Sequence, residues 1–192
     1  MKKIVTRVQH PDWSRNAVIY ELNVRQFSPE GTLRAILPQL GRLKNMGVDI
    51  LWLMPINPIG VVERKGTLGS NYAVSDYKAV NPDFGSLEDL RELVREVHRL
   101  GMYLILDWVA NHTAWDHVWV TEHPDWYLKN AAGQIHSYVY RHDETAPEEH
   151  WTDVVGLDYR QPALWDAMTD ALLYWIREAD IDGYRCDVAG LL

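Results

Sequence analysis

The sequence predicts an α/β fold built on a parallel sheet, and three observations carry that prediction. Four short apolar runs alternate with three amphipathic helical patterns. The tight returns, at Gly47 and Gly101, come just before strands. The long connections, residues 55–84 and 108–160, both follow strands, so they gather on one face of the sheet, the face on which α/β folds build their sites.

Each element has a local signature. The first strand is residues 17–22, AVIYEL. After the turn at 28–31, SPEG, a helical pattern runs to Met46, with Leu33, Ile36, Leu37, Leu40 and Leu43 three or four apart. Pro38 fits only where a first turn ends and the main helix begins, because its ring excludes it from a helix interior. Residues 48–54, VDILWLM, form a strand apolar enough to be covered on both faces. Ser86 caps the next helix, with Glu88 and Asp89 in its first turn and Leu87, Leu90, Leu93, Val94, Val97 and Leu100 on its apolar side. Residues 103–107 are the third strand. Pro162 opens the last helix, and residues 182–187 are the fourth strand. The stretch between the third strand and that helix exceeds ordinary loop lengths and predicts a small inserted subdomain.

Two architectures hold four such strands: an open doubly wound sheet, or half of a closed barrel. The first turn, residues 23–28 (NVRQFS), lacks the glycine-rich phosphate fingerprint of the dinucleotide fold. The expected fold is therefore the N-terminal half, strands 1–4, of a (β/α)8 TIM barrel with a small insertion after strand 3. The division is 1–112 for strands 1–3 with their helices, 113–155 for the insertion, and 156–192 for the third helix and strand 4. A closed barrel takes about 250 residues, against 192 here. The expectation is a half barrel, either the first part of a longer protein or a unit that pairs through its open strand-4 edge.

Composition narrows the function. A formal charge of -8 disfavours nucleic acid and anionic membrane surfaces as partners. No apolar run reaches the length of a membrane span. Residues 1–7 are basic with no hydrophobic region behind them, which is not a signal peptide and points to the cytoplasm. Nine Trp and ten Tyr against two Phe favour rings with polar handles, which suit a sugar-binding cleft. Cys186 is the sole cysteine, so no internal disulfide forms, and strand alternation predicts a thiol packed against the helix layer.

Arg185 and Asp187 lie two apart on a strand and share a face, so the guanidinium is placed to hold the carboxylate ionised, as a carboxylate nucleophile requires. A structural ion pair closing the strand end is the alternative. Asp107, Asn111 and His112 crowd the end of the third strand and suggest a polar ligand, or a loop whose backbone they satisfy. Tyr72 offers a flat face to a pyranose ring; Arg25 and Asp76 suit an ionic support near the loops. Trp115, Trp119, Trp126 and Trp151 read as staples of the insertion, with a platform in the cleft as the alternative. The histidines at 117, 123, 136, 142 and 150 show no zinc-ligand spacing.

On these residues the sequence resembles the alpha-amylase family of glycoside hydrolases. The matching motifs are residues 107–112 (DWVANH), 183–187 (GYRCD), 71–77 (NYAVSDY), 81–85 (NPDFG) and 157–162 (LDYRQP), and the likeness covers residues 14–192. The resemblance implies a (β/α)8 barrel and retaining cleavage of alpha-glucosidic bonds in maltodextrin-like oligosaccharides, with Asp187 as nucleophile and Arg185 supporting it. His112 and Tyr72 match sugar-binding residues, Asp107 a structural carboxylate, and Asn111 a residue that holds calcium in many members. Two positions depart. Gly156 stands where the family places a carboxylate ligand, and Leu191 where it places a histidine, so no calcium, other metal or cofactor is expected. Gly190 replaces a basic residue that often contacts sugar. The family's general acid and second supporting carboxylate match no position here, so the 192 residues alone are expected to be inactive. A transglycosylase or isomerase of the same family, or a non-enzymatic interaction module, are the alternatives.

Overall fold

A computed structural model describes residues 10–143 and 145–191. Residues 1–7, read above as a basic stretch without a leader, lie outside the described residues. In chain order the elements are β1 (Ile19–Leu22), a single turn α1 (Val24–Phe27), α2 (Leu40–Asn45), β2 (Ile50–Leu53), α3 (Leu87–Arg99), β3 (Tyr103–Val109), β4 (His112–Ala114), α4 (Val118–Glu122), β5 (Ser137–Tyr140), β6 (Glu149–Gly156), α5 (Pro162–Ala179) and β7 (Gly183–Asp187).

The strands β1, β2, β3 and β7 pair in that order, all parallel. Alternation sorts their side chains. Leu51, Leu53, Leu104 and Leu106 are buried beneath the helices, against Leu40, Leu43, Leu90, Leu93, Leu164, Met168 and Trp175. The opposite face carries Trp52, Ile105, Asp107 and Arg185, and is the inner wall of an incomplete (β/α)8 barrel. Helix α3 starts in a full capping box: Ser86 accepts from the Asp89 amide, and the Asp89 carboxylate accepts from Ser86. Among the described residues no helix is long and apolar enough to cross a membrane.

Two expectations are corrected. The helical stretch up to Met46 breaks around Pro38, as expected, but the segment before the break, Arg34–Gln39, is a 3-10 helix and not α, and α2 begins only at Leu40. The missing proline N–H and the crowding of its ring prevent a single α-helix across this point. Cys186 is exposed, not packed. Helix α5 covers the near flank of β7, where the Tyr184 hydroxyl reaches the Leu172 carbonyl. No described element covers the far flank, because β7 is a sheet edge.

The long connections are structured. In the β2–α3 connection Asn57 donates to the Asp76 and Tyr77 carbonyls (3.1 and 3.2 Å), and the buried Tyr77 hydroxyl donates to the Val109 carbonyl (2.7 Å). Between β3 and α5 lies a second, antiparallel sheet in the order β4-β6-β5, with two residues between β3 and its first strand. In the same connection Trp126 is buried, stacked on His123 at 3.9 Å and edge-on to Trp119 at 5.2 Å.

Candidate active site

The parallel register sets Asp107 opposite Arg185 and Val109 opposite Asp187. Arg185 therefore points between two carboxylates. Its Nη1 lies 3.0 Å from Asp107 Oδ1 and 2.8 Å from Asp187 Oδ1. The Trp52 ring supports the guanidinium from below, its centroid 4.9 Å from Cζ. Asp107 is completely covered and takes two further donors on Oδ2, the Tyr72 hydroxyl (3.1 Å) and the Trp52 indole N–H (3.2 Å). Burial lifts the Asp107 carboxyl above its ordinary value, and Arg185 and Tyr72 pull it back. Burial likewise raises the Tyr72 phenol, with the Asp107 charge adding to it, so Tyr72 stays protonated and remains a donor.

Tyr72, His112 and Asp187 line one cavity of about 360 Å³, together with Lys65, Ser70, Glu149, Trp151, Asp153, Val154 and Val188. That volume suits a small ligand. His112 is buried on β4 and its pKa falls to about 4: burial disfavours the charged ring more than Asp187 and Asp153 favour it. The Asn111 side-chain amide sits 3.1 Å from His112 Nδ1 and orients the ring. The site therefore brings a neutral imidazole, a phenol and a largely covered carboxylate around one space.

The other expected residues lie elsewhere. Arg25 donates to the carbonyls of Leu68 and Gly69 and to Asn71 Oδ1 (2.8 Å), bracing the loop that carries Tyr72. Asp76 is exposed and accepts from the Lys78 amide, so Arg25 and Asp76 form no ion pair with each other. Asn111 lines a separate hollow with Asp158, Arg160 and Leu191. That hollow does not fit calcium, which takes six to eight oxygens. Arg160 already holds Asp158 (2.6 Å), and Leu191 brings no donor. A side chain at Gly156 would meet Tyr138 and Leu128 at under 3 Å.

Trp52, Lys65, Glu149 and Asp153 were not read from the sequence as site residues. Alternation along β2 puts Trp52 on the Arg185 face, so a signal for it existed. Lys65 and Asp153 meet across two distant segments and leave no local pattern.

The sequence profile described as alpha amylase, catalytic domain, matches residues 9–192. The structure superposes on an alpha-amylase from Lactobacillus plantarum with a TM-score of 0.82 at 47% identity, covering 93% of this chain and 40% of that one. It superposes on the maltogenic alpha-amylase AmyB of Thermotoga neapolitana with a TM-score of 0.81 at 40% identity, covering 92% and 40%. An alpha-1,4-glucan:maltose-1-phosphate maltosyltransferase of Burkholderia pseudomallei is 33% identical over 91% of this chain and 16% of its own length. The chain thus spans well under half the length of these relatives.

Proposed function

The chain belongs to the alpha-amylase catalytic-domain family, and from that premise we propose that it carries the nucleophile side of a retaining site for alpha-glucosidic bonds. Asp187 attacks the anomeric carbon of a glucosyl unit and forms a covalent glycosyl intermediate, as retaining glycosidases do. Arg185, 2.8 Å from its Oδ1, aims the attacking carboxylate. Tyr72 stacks on the sugar ring, and the His112 Nε2–H donates to one of its hydroxyls. The observation that carries this reading is the convergence of Tyr72, His112 and Asp187 on one cavity. The substrate class is a maltodextrin-like oligosaccharide, and the division at 112 and 156 separates barrel from insertion.

A retaining mechanism needs a second carboxyl about 5–5.5 Å from the first, to protonate the leaving oxygen and later activate water. Asp107 is covered and engaged by three donors. Asp153 is held by Lys65, and Glu149 by the Trp151 indole. None is placed as the acid, so the 192 residues alone bind sugar without turning it over. Incubation with maltooligosaccharides checks this: no products are expected, and turnover abolished by Asp187→Asn would contradict it. Hydrolysis is the primary reading for the whole protein. Transfer to a second sugar is the alternative, favoured by the Burkholderia relative, a maltosyltransferase. Product analysis with an added acceptor separates the two.

A further inference from the structure

The turn that joins β3 to β4, residues 109–112, bears on two members of the site at once. His112 stands at its end, and Val109 at its start is the register partner of Asp187. All four of its carbonyls are engaged. The Tyr77 hydroxyl donates to the Val109 carbonyl (2.7 Å) and lies 3.1 Å from the His112 carbonyl. The Tyr159 hydroxyl donates to the Ala110 carbonyl (2.7 Å), and the Leu157 amide donates to the Asn111 carbonyl (3.0 Å). Tyr159 and Leu157 thus hold the middle of the turn, whereas Tyr77 spans it and holds both ends.

Tyr77 is itself fixed from behind. It is 2% exposed. Its carbonyl accepts from the Trp175 indole N–H of α5 (2.8 Å) and from the Asn57 side-chain amide (3.2 Å). Its ring packs against Trp108 of β3, His117 and Trp119, with centroids 5.0, 5.2 and 5.3 Å away. Burial pushes the phenol well above its ordinary range, so the hydroxyl keeps its proton and remains a donor. Tyr77 also closes the segment that begins with Tyr72, and that segment is tied to β4, where the Ala114 amide donates to the Val74 carbonyl (2.8 Å). A donor held this firmly fixes the direction of the carbonyls it meets, and through them the side chains on the same stretch of backbone.

We propose that Tyr77 is a positioning residue for the sugar site: by joining the Val109 and His112 ends of the turn, it sets the direction in which the His112 ring enters the cavity it shares with Tyr72 and Asp187. The phenol acts through the backbone and is not part of the cavity lining. What the placement serves rests on the sugar-site reading above, while the placement itself is measurable without a sugar.

The test is Tyr77→Phe, which keeps the ring and removes the hydroxyl. NMR follows the His112 ring in the 192-residue chain, with and without maltotriose. In the folded variant the His112 signals move or split, and maltotriose binds about tenfold more weakly, the worth of one well-aligned hydrogen bond. Ser86→Ala, which weakens a helix cap remote from the turn, is the control and leaves both readouts unchanged. A Tyr77→Phe chain that is less stable but keeps the His112 signals of the unaltered protein overturns the proposal, because Tyr77 then only packs. A displaced His112 ring with unchanged maltotriose affinity contradicts the sugar-site reading and not the placement. If the unaltered chain binds no maltotriose, that reading falls, and the His112 signals alone judge the placement. Should Tyr77→Phe fail to fold, Asn57→Ala, which frees the Tyr77 carbonyl and keeps its hydroxyl, decides on the same readouts.

Discussion

Two carboxylate–cation pairs, one beneath Tyr72 and Asp187 and one in the cavity lining, are built differently. Asp107 and Arg185 sit in register on adjacent strands, with the carboxylate fully covered, three donors on its oxygens and an indole ring under the guanidinium. Asp153 and Lys65 join a strand of the antiparallel sheet to a loop through one contact, and the lysine side chain is 53% exposed. The first pair fixes geometry, because the carboxylate is tied to three donors, two of them on neighbouring strands. The second has donor and acceptor capacity left for a ligand. Similar charges are thus fixed on one wall and left partly open to solvent on the other.

The largest expected effect falls where the two walls meet. His112, at the junction, and His117, within the inserted segment, are both pushed down by burial to a pKa of about 4. In the unfolded chain they protonate near 6.5. Between those values the unfolded state binds more protons. Stability is therefore complete above about pH 6.5 and is lost as pH falls toward 4, by on the order of 3 kcal/mol per histidine. Urea unfolding across this range measures the slope, and His112→Gln is expected to remove roughly half of it. A flat profile would mean that the junction is open to water.

Asp107→Ala comes next. It leaves Arg185, Tyr72 and Trp52 without their common acceptor and should cost about 3 kcal/mol, the low end for a broken buried pair because Arg185 is partly exposed. Urea denaturation reads this directly. Ser86→Ala, remote from both walls, should cost about 1 kcal/mol through the lost cap and should be additive with either change. Asp153→Asn should cost less than about 1 kcal/mol, as expected for a pair with an exposed partner. If Asp153→Asn and Asp107→Ala destabilise equally, the contrast between the walls is wrong.

Much of the fold was legible in local pattern. Ser86 followed by Asp89, Pro162 at the head of α5, and glycines at 47 and 101 with positive φ each mark a boundary through the backbone chemistry of one residue. The pairing of Arg185 with Asp187 followed from strand alternation. The engagement of Arg185 by Asp107 depends on sheet register, which no local spacing encodes. Pro38 signalled a break, yet it did not say that the preceding turns would be 3-10. Cys186 was misread because alternation gives the face of a strand and not whether that face is covered. Lys65 and Asp153 were silent for the same kind of reason: an ion pair across two connections has no period.

The central claim is that the Asp187 carboxylate is the attacking group, and an activated substrate tests it most directly. Alpha-glucosyl fluoride loses its leaving group without an acid, so Asp187 can be glycosylated even where turnover stalls. Mass spectrometry of the digested chain should find one added hexosyl residue on the peptide containing Asp187, absent in Asp187→Asn. A chain that binds maltotriose yet gains no hexosyl group, or one in which Asp187→Asn is labelled equally, would contradict the account.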